Sequence, residues 1–223
     1  MKKLTFSLFT RTPLHVGCGS SVGVVDLPVL RERATGFPTV PGSALKGVLR
    51  DLFATEPQTQ ETLFGKPDGR GKILVGEARL AAFPVRSAKG GFAWLTSPLT
   101  LARLDIARLD IARLDIDCSA LDEDAVLATN RLIAIENDVV LEEYRLKRAG
   151  DLPEDMKKAL KPLCEHKLWQ ESLESRLAVV SDTILSHFAQ NACEIAYHNR
   201  IDDETGTVAD GALFAQENVP SEA

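Results

Sequence analysis

The sequence predicts an α+β fold, on three observations. From Leu4 to Phe9, Leu4, Phe6 and Leu8 alternate with Thr5 and Ser7, the two-residue period of a half-buried strand. After Pro41-Gly42-Ser43, apolar residues return at helical spacing. Near the end, two extended arms flank Thr205-Gly206 and read as a long β-hairpin. Strands and helices interleave without the regular spacing of βαβ units, so a doubly wound parallel sheet is not expected.

Taken in order, the first strand begins almost at once, at Leu4. Residues 13–41 follow, with glycines at 17, 19, 23 and 36 and prolines at 13, 28, 38 and 41, too many breakers for a helix. A loop of that length in a compact domain is usually functional. Ser43 offers an N-cap oxygen to a helix in which Ala44, Leu45, Val48, Leu49, Leu52 and Phe53 share a face. Lys46 and Arg50 lie four apart on one side of that helix, near its N-terminus, where backbone N–H groups and the helix dipole add to their attraction for a phosphate. Lys72 to Phe83 reads as a strand ended by Pro84; Phe92 to Leu95 is a short apolar strand; and Thr96-Ser97-Pro98-Leu99 opens a helix. Ala-Arg-Leu-Asp-Ile then occurs three times in tandem, from Ala102 to Ile116. A period of five matches neither 3.6 nor 2, so the repeat reads as a local expansion that lengthens a surface helix. Val139 to Leu146 is strand-like, Pro153 to Gln170 gives one or two amphipathic helices, and Ser181-Asp182 caps a helix over Thr183 to Cys193.

The chain has 223 residues, 44% of them hydrophobic and 26% charged, the balance of a globular protein with room for a real core. No apolar run reaches the roughly 18–20 residues of a membrane span, and Thr5, Ser7 and Arg11 break the N-terminal apolar stretch, so neither a membrane protein nor a secreted precursor is expected. The cysteines at 18, 118, 164 and 193 form no C-x-x-C pair, which argues against a zinc ribbon or a disulfide framework and for a reducing cytoplasm. Net charge is −6, but residues 1–50 carry seven basic and two acidic side chains. The local field, not the total, draws in phosphate, so the N-terminal quarter can meet nucleic acid while the rest faces protein or solvent.

Several chemistries are excluded. Gly42 to Gly47 lacks the first glycine and the Lys-Ser/Thr ending of a P-loop, and there is no G-x-S-x-G, no H-E-x-x-H and no G-x-G-x-x-G after a strand. What remains is His15 and Asp26 in the glycine-rich loop, followed by Arg31, Arg33 and the helix bearing Ser43, Lys46 and Arg50. A carboxylate among cations and glycines can hold a divalent ion or position a hydroxyl, and the cations can bind a phosphodiester. Asx-turn oxygens are a commoner use of a loop aspartate, and a histidine alone is more often a packed, hydrogen-bonded side chain.

The runs from Arg11 to Gly17 (RTPLHVG), Gly23 to Pro28 (GVVDLP), then Arg31, and Pro38 to Gly47 (PTVPGSALKG) closely resemble the RAMP proteins of CRISPR effector complexes. Within them, the chain looks most like the backbone subunit of type III-B (Cmr) complexes. Phe83 to Leu104, Arg176 to Asp182 and Arg200 to Pro220 support the narrower match, so the resemblance touches nearly the whole chain.

The resemblance implies a ferredoxin-like, RRM-related core with inserted helices and a protruding β-hairpin thumb. It implies a single domain over 1–223, with helical or lid insertions within 84–175 and the thumb over 194–220. It further implies an endoribonuclease whose copies stack along a guide RNA, together with other type III effector subunits, and cut complementary target RNA at regular intervals. Asp26 stands where the family has its catalytic, metal-binding aspartate, the ion being magnesium or manganese. His15, Arg31, Arg33, Ser43, Lys46 and Arg50 would contact RNA. The family continues past the thumb with closing strands and a glycine-rich segment, so the C-terminal part is expected to be truncated at Ala223. Two other RAMP roles are alternatives: a non-cutting scaffold holding guide RNA, for which a neutral residue would stand at 26, and a guide-processing endoribonuclease using a histidine such as His15 without metal.

Overall fold

A computed structural model describes residues 2–106, 121–129 and 132–223. After a long, strand-poor N-terminal segment come β1 (Thr39–Val40), α1 (Gly42–Asp51), α2 (Pro57–Phe64), the small hairpin β2 (Gly65–Lys66) and β3 (Gly69–Arg70), and β4 (Ala78–Arg79) paired to β1. The main sheet is built from β5 (Phe83–Ser87), β6 (Gly91–Thr96), β7 (Ala125–Ala128), β8 (Ala134–Ile135), β9 (Asp138–Leu141), β10 (Tyr144–Gly150) and β11 (Leu177–Val180). Its helices are α3 (Pro98–Ile106), α4 (Glu154–Leu160), α5 (Lys167–Arg176) and α6 (Asp182–Asn191). The tail forms β12 (Glu194–His198) and β13 (Phe214–Asn218). The architecture is mixed α and β, as expected.

Strand order is β10-β7-β11-β6-β5-β9-β8, and β10 also pairs with β9, so six strands close a ring with β8 added outside it. β11 shows why the sheet is stable. Ala178 and Val180 enter one core cluster with Val85, Leu95 and Phe188, whereas Leu177 and Val179 enter a second with Trp94, Met156 and Trp169. Both faces of the strand are buried, so its sequence is a continuous apolar run.

The N-terminal strand expected from Leu4 to Phe9 is not formed. Leu4 is 82% and Leu8 46% exposed. The six-strand ring, closed through β9 and β10, offers this segment no edge, and it passes instead over an apolar cavity of about 340 Å³ lined by residues including Leu8, Val16, Leu80 and Trp169. Lys72 to Phe83 is likewise not one strand: only Ala78–Arg79 is extended and paired before β5 begins. Pro84 lies inside β5, opposite Trp94; β5 meets β9 only at Ser87↔Leu141, so near Pro84 that side of the strand carries no ladder for the missing N–H to break. At α1 the cap position is Pro41, with no side-chain cap, and Ser43 is an exposed residue of the first turn. At α6 the expected cap is present: Ser181 Oγ accepts from Ile184 N–H at 3.2 Å. α3 covers the start of the tandem repeat; its continuation over 107–116 lies outside the described residues.

Candidate functional site

The loop carrying His15 and Asp26 is folded onto β13. Leu14 and Val219 exchange two backbone hydrogen bonds (2.8 and 2.9 Å). Thirteen residues later Leu27 N–H donates to Ala215 O at 3.0 Å, and Glu217 N–H donates to Leu27 O at 2.9 Å. Between these anchors the loop pairs with itself, through the Gly17↔Val29 bridge, Leu30 N–H to Val16 O (2.7 Å) and Ser21 N–H to Asp26 O (2.8 Å), leaving Val22 and Val24 in solvent at its tip.

Asp26 is exposed, and one oxygen, Oδ2, accepts from Ala215 N–H at 2.7 Å. Among the described residues the other oxygen, Oδ1, has no hydrogen-bond partner. His15 is half-buried, with Nδ1 2.7 Å from Glu217 O. A carbonyl can only accept, so Nδ1 carries the proton and Nε2 is left for a ligand. Ala215 and Glu217 are two apart on one strand, which sets their anchor points roughly 6–7 Å apart.

Arg31 is brought to the same strand but faces inward. Its guanidinium donates to Gly36 O (2.9 Å), Ala189 O (2.6 Å), Cys193 Sγ (3.3 Å) and the Glu217 carboxylate. Glu217, only 7% exposed, uses its second carboxylate oxygen to accept from Val29 N–H at 2.9 Å. Burial pushes the Cys193 thiol up to about 11, against the pull of the Arg31 charge beside it. These contacts make Arg31 a half-buried tie between loop, α6 and hairpin, with its donors turned inward rather than toward a surface ligand.

The remaining cations lie elsewhere. Arg33 is exposed in the turn before β1. Ser43, Lys46 and Arg50 fall at i, i+3 and i+7 on α1 and so share one stripe of that helix. Among the described residues Arg33, Lys46 and Arg50 have no ion-pair partner. α1 buries no residue, and the neighbouring stripe exposes Val48 (66%) and Leu52 (73%).

Sequence reasoning missed Ala215 and Glu217, the residues that hold the site. A signal was present: in ALFAQENVP, Ala215, Glu217 and Val219 alternate on one strand face, which makes Glu217 a charged residue on a face that is otherwise apolar and buried. Among the described residues no group of three His, Cys, Asp or Glu side chains could hold a metal. The donor set at Asp26 is one carboxylate with one oxygen engaged. It fits a magnesium-like ion that takes its other ligands from phosphate and water, and does not fit a metal held by protein alone.

The model of the RAMP superfamily matches residues 8–222. The CRISPR system Cmr endoribonuclease Cmr4 of Pyrococcus furiosus is 35% identical over 236 residues, covering 100% of this chain and 79% of that protein. A crystal structure of oligomeric Cmr4 from the same organism superposes with a TM-score of 0.67 at 29% identity, covering 96% of this chain and 75% of that one. A chain of the Type III-B Cmr-beta bound to cognate target RNA gives a TM-score of 0.72 at 20% identity, over 96% of this chain and 79% of that one, a likeness of fold.

Proposed function

The chain belongs to the RAMP superfamily, and from that membership we propose that it is the backbone subunit of a type III-B CRISPR effector complex. It binds guide RNA and acts as an endoribonuclease on complementary target RNA. The observation that carries this reading is the likeness to Cmr4 along the entire chain, with an exposed aspartate, Asp26, in the loop after the N-terminal segment. Its partners are guide RNA, target RNA, further copies of itself and other type III subunits; the oligomeric state of the similar Cmr4 supports stacking of copies. A ferredoxin-like ancestry is supported by β6 and β11, adjacent and parallel, each followed by a helix, as in the two halves of a βαββαβ unit. We assign the subunit to the cytoplasm, where Cys18, Cys164 and Cys193 remain free thiols.

The reaction is transesterification. The 2′-oxygen of one nucleotide attacks the adjacent phosphorus, the bond from phosphorus to the 5′-oxygen breaks, and the products carry a 2′,3′-cyclic phosphate and a 5′-hydroxyl. A nucleotide splayed out of the stack provides the in-line geometry. Ala215 N–H fixes Asp26 by one oxygen, so the other meets the 2′-hydroxyl in a set orientation and takes up its proton. His15 presents Nε2 to the same RNA. Arg33, Ser43, Lys46 and Arg50 hold phosphates and carry no base information. A magnesium or manganese ion held by Asp26 and the phosphate would neutralise charge developing on the phosphoryl oxygens.

The test is Asp26→Asn in the reconstituted complex with a guide and a complementary target. Assembly and target binding stay within two-fold, because the asparagine oxygen can still accept from Ala215, while cutting falls by at least about 100-fold. Cutting at the wild-type rate would remove Asp26 from the mechanism.

A further inference from the structure

Glu217 lies on the hairpin arm, outside the loop that carries the chemistry, yet it touches that loop through every polar group it has. Its N–H donates to Leu27 O, its carbonyl accepts from His15 Nδ1, and its carboxylate accepts from Val29 N–H and pairs with Arg31. Leu27 is the residue after Asp26. The loop is therefore held on both sides of its reactive carboxylate by one residue of another element.

We propose that Glu217 is a positioning residue for RNA cleavage, setting Asp26 and His15 at a fixed separation along β13 through its bonds to the loop and to Arg31. This rests on the reading of Asp26 as the catalytic carboxylate. A packing role alone would not require a charge here. Ala215 and Val219, on the same strand face, are both apolar and buried, and an apolar residue at 217 would fill the space without the desolvation that a buried carboxylate demands. A charge gives directional contacts instead. One carboxylate oxygen fixes Val29, and the other holds the Arg31 guanidinium, which itself reaches Gly36 O and Ala189 O. The loop is thereby located against α6 as well as β13, and a slip of one residue along the strand would break several of these bonds together. A displacement of about 1 Å at reacting groups can cost about 100-fold in rate while leaving remote binding contacts intact.

The experiment uses the assembled complex with guide RNA and measures single-turnover cutting at saturating target alongside target affinity. Glu217→Gln keeps the volume and an acceptor for Val29 N–H but removes the charge facing Arg31. The expected result is a cutting rate at saturation about 10- to 100-fold lower, with affinity for the target within two-fold of wild type. If the glutamine variant does not assemble, Glu217→Asp keeps the charge and withdraws the carboxylate by one methylene, and the same split between rate and affinity is expected. An unchanged rate overturns the proposal. So does a rate that falls only in step with affinity or with the melting temperature, since that is a structural role. Asp26→Asn is run in parallel: if it cuts normally the catalytic assignment fails by itself, while the Glu217 rate still reports whether the loop needs this anchor.

Discussion

Gly17 and His15 share a space that admits only one side chain. A Cβ placed on Gly17 would lie 2.7 Å from Nε2 of His15, well inside contact distance. The ring cannot simply swing aside, because its other nitrogen is bonded to Glu217 O. The glycine is what leaves Nε2 open toward the loop.

Gly17→Ala should accordingly break the bond from His15 to Glu217. The expected cost is about 0.5–1.5 kcal/mol of stability, the worth of one such hydrogen bond. Thermal unfolding measures it, and the nitrogen chemical shifts of His15 should lose the pattern of a single Nδ1–H tautomer. A variant with both properties unchanged would mean the ring has another resting place.

Lys46→Ala with Arg50→Ala should weaken RNA binding regardless of sequence. Neither cation has an ion-pair partner among the described residues, so little internal structure is lost. The slope of log affinity against log salt should shrink by about 1.4 units, from about 0.7 per phosphate contact on a single strand. Titration of guide RNA at several salt concentrations gives that slope, and an unaltered one would place the RNA on another face.

The two arms of the tail hairpin should respond differently to deletion. β12 is mostly exposed, whereas Ala215, Glu217, Asn218 and Val219 on the return arm are buried. Replacing residues 199–213 with a short turn should spare the core and the loop. A deletion carried through Val219 should unfold the loop, since every one of its anchors on that arm would go. Hydrogen exchange of the free chain should show slow amides at 215–219 and fast ones at 203–212.

Cys193 gives a pH dependence. Burial raises its pKa from the ordinary 9.0 to about 11, so the folded chain holds the proton more tightly than the unfolded one. The resulting stability is fully present below pH 9 and is lost as pH rises from 9 through 11; its ceiling is about 2.7 kcal/mol for two units. At pH 8 iodoacetamide should alkylate exposed Cys18 quickly and Cys193 slowly, and denaturant should abolish the difference. Equal rates in the folded chain would contradict the burial.

Local signals were legible in the sequence because local physics makes them. The Ser181 cap, the proline-led start of α3 and the turn at Thr205-Gly206, closed by bonds between Asp202 and Gly206 and between Asp202 and Thr207, each depend on neighbours within a few residues. Leu4 to Phe9 failed as a strand although its period is right, because pairing needs an edge and the contact between Val140 and Arg145 closes the ring far away in the chain. Arg31 reads as a phosphate ligand by composition; only the fold reveals Ala189 and Cys193, some 160 residues on, as its neighbours. His15 and Asp26 were identifiable, but their common support at 215 and 217 lies about 190 residues away, beyond any periodic signal.

The loop is fastened to the hairpin arm mostly by main-chain atoms. Leu14, His15, Asp26 and Leu27 all bond to backbone N–H or C=O groups of Ala215, Glu217 and Val219. Main-chain groups survive almost any substitution, so a change at Gln216 would leave these bonds in place. Loop and arm are thereby joined into one unit whose fastening does not depend on most of the side chains along the arm. On the arm itself the carboxylate of Glu217 differs from these main-chain groups, because a single codon change can erase it.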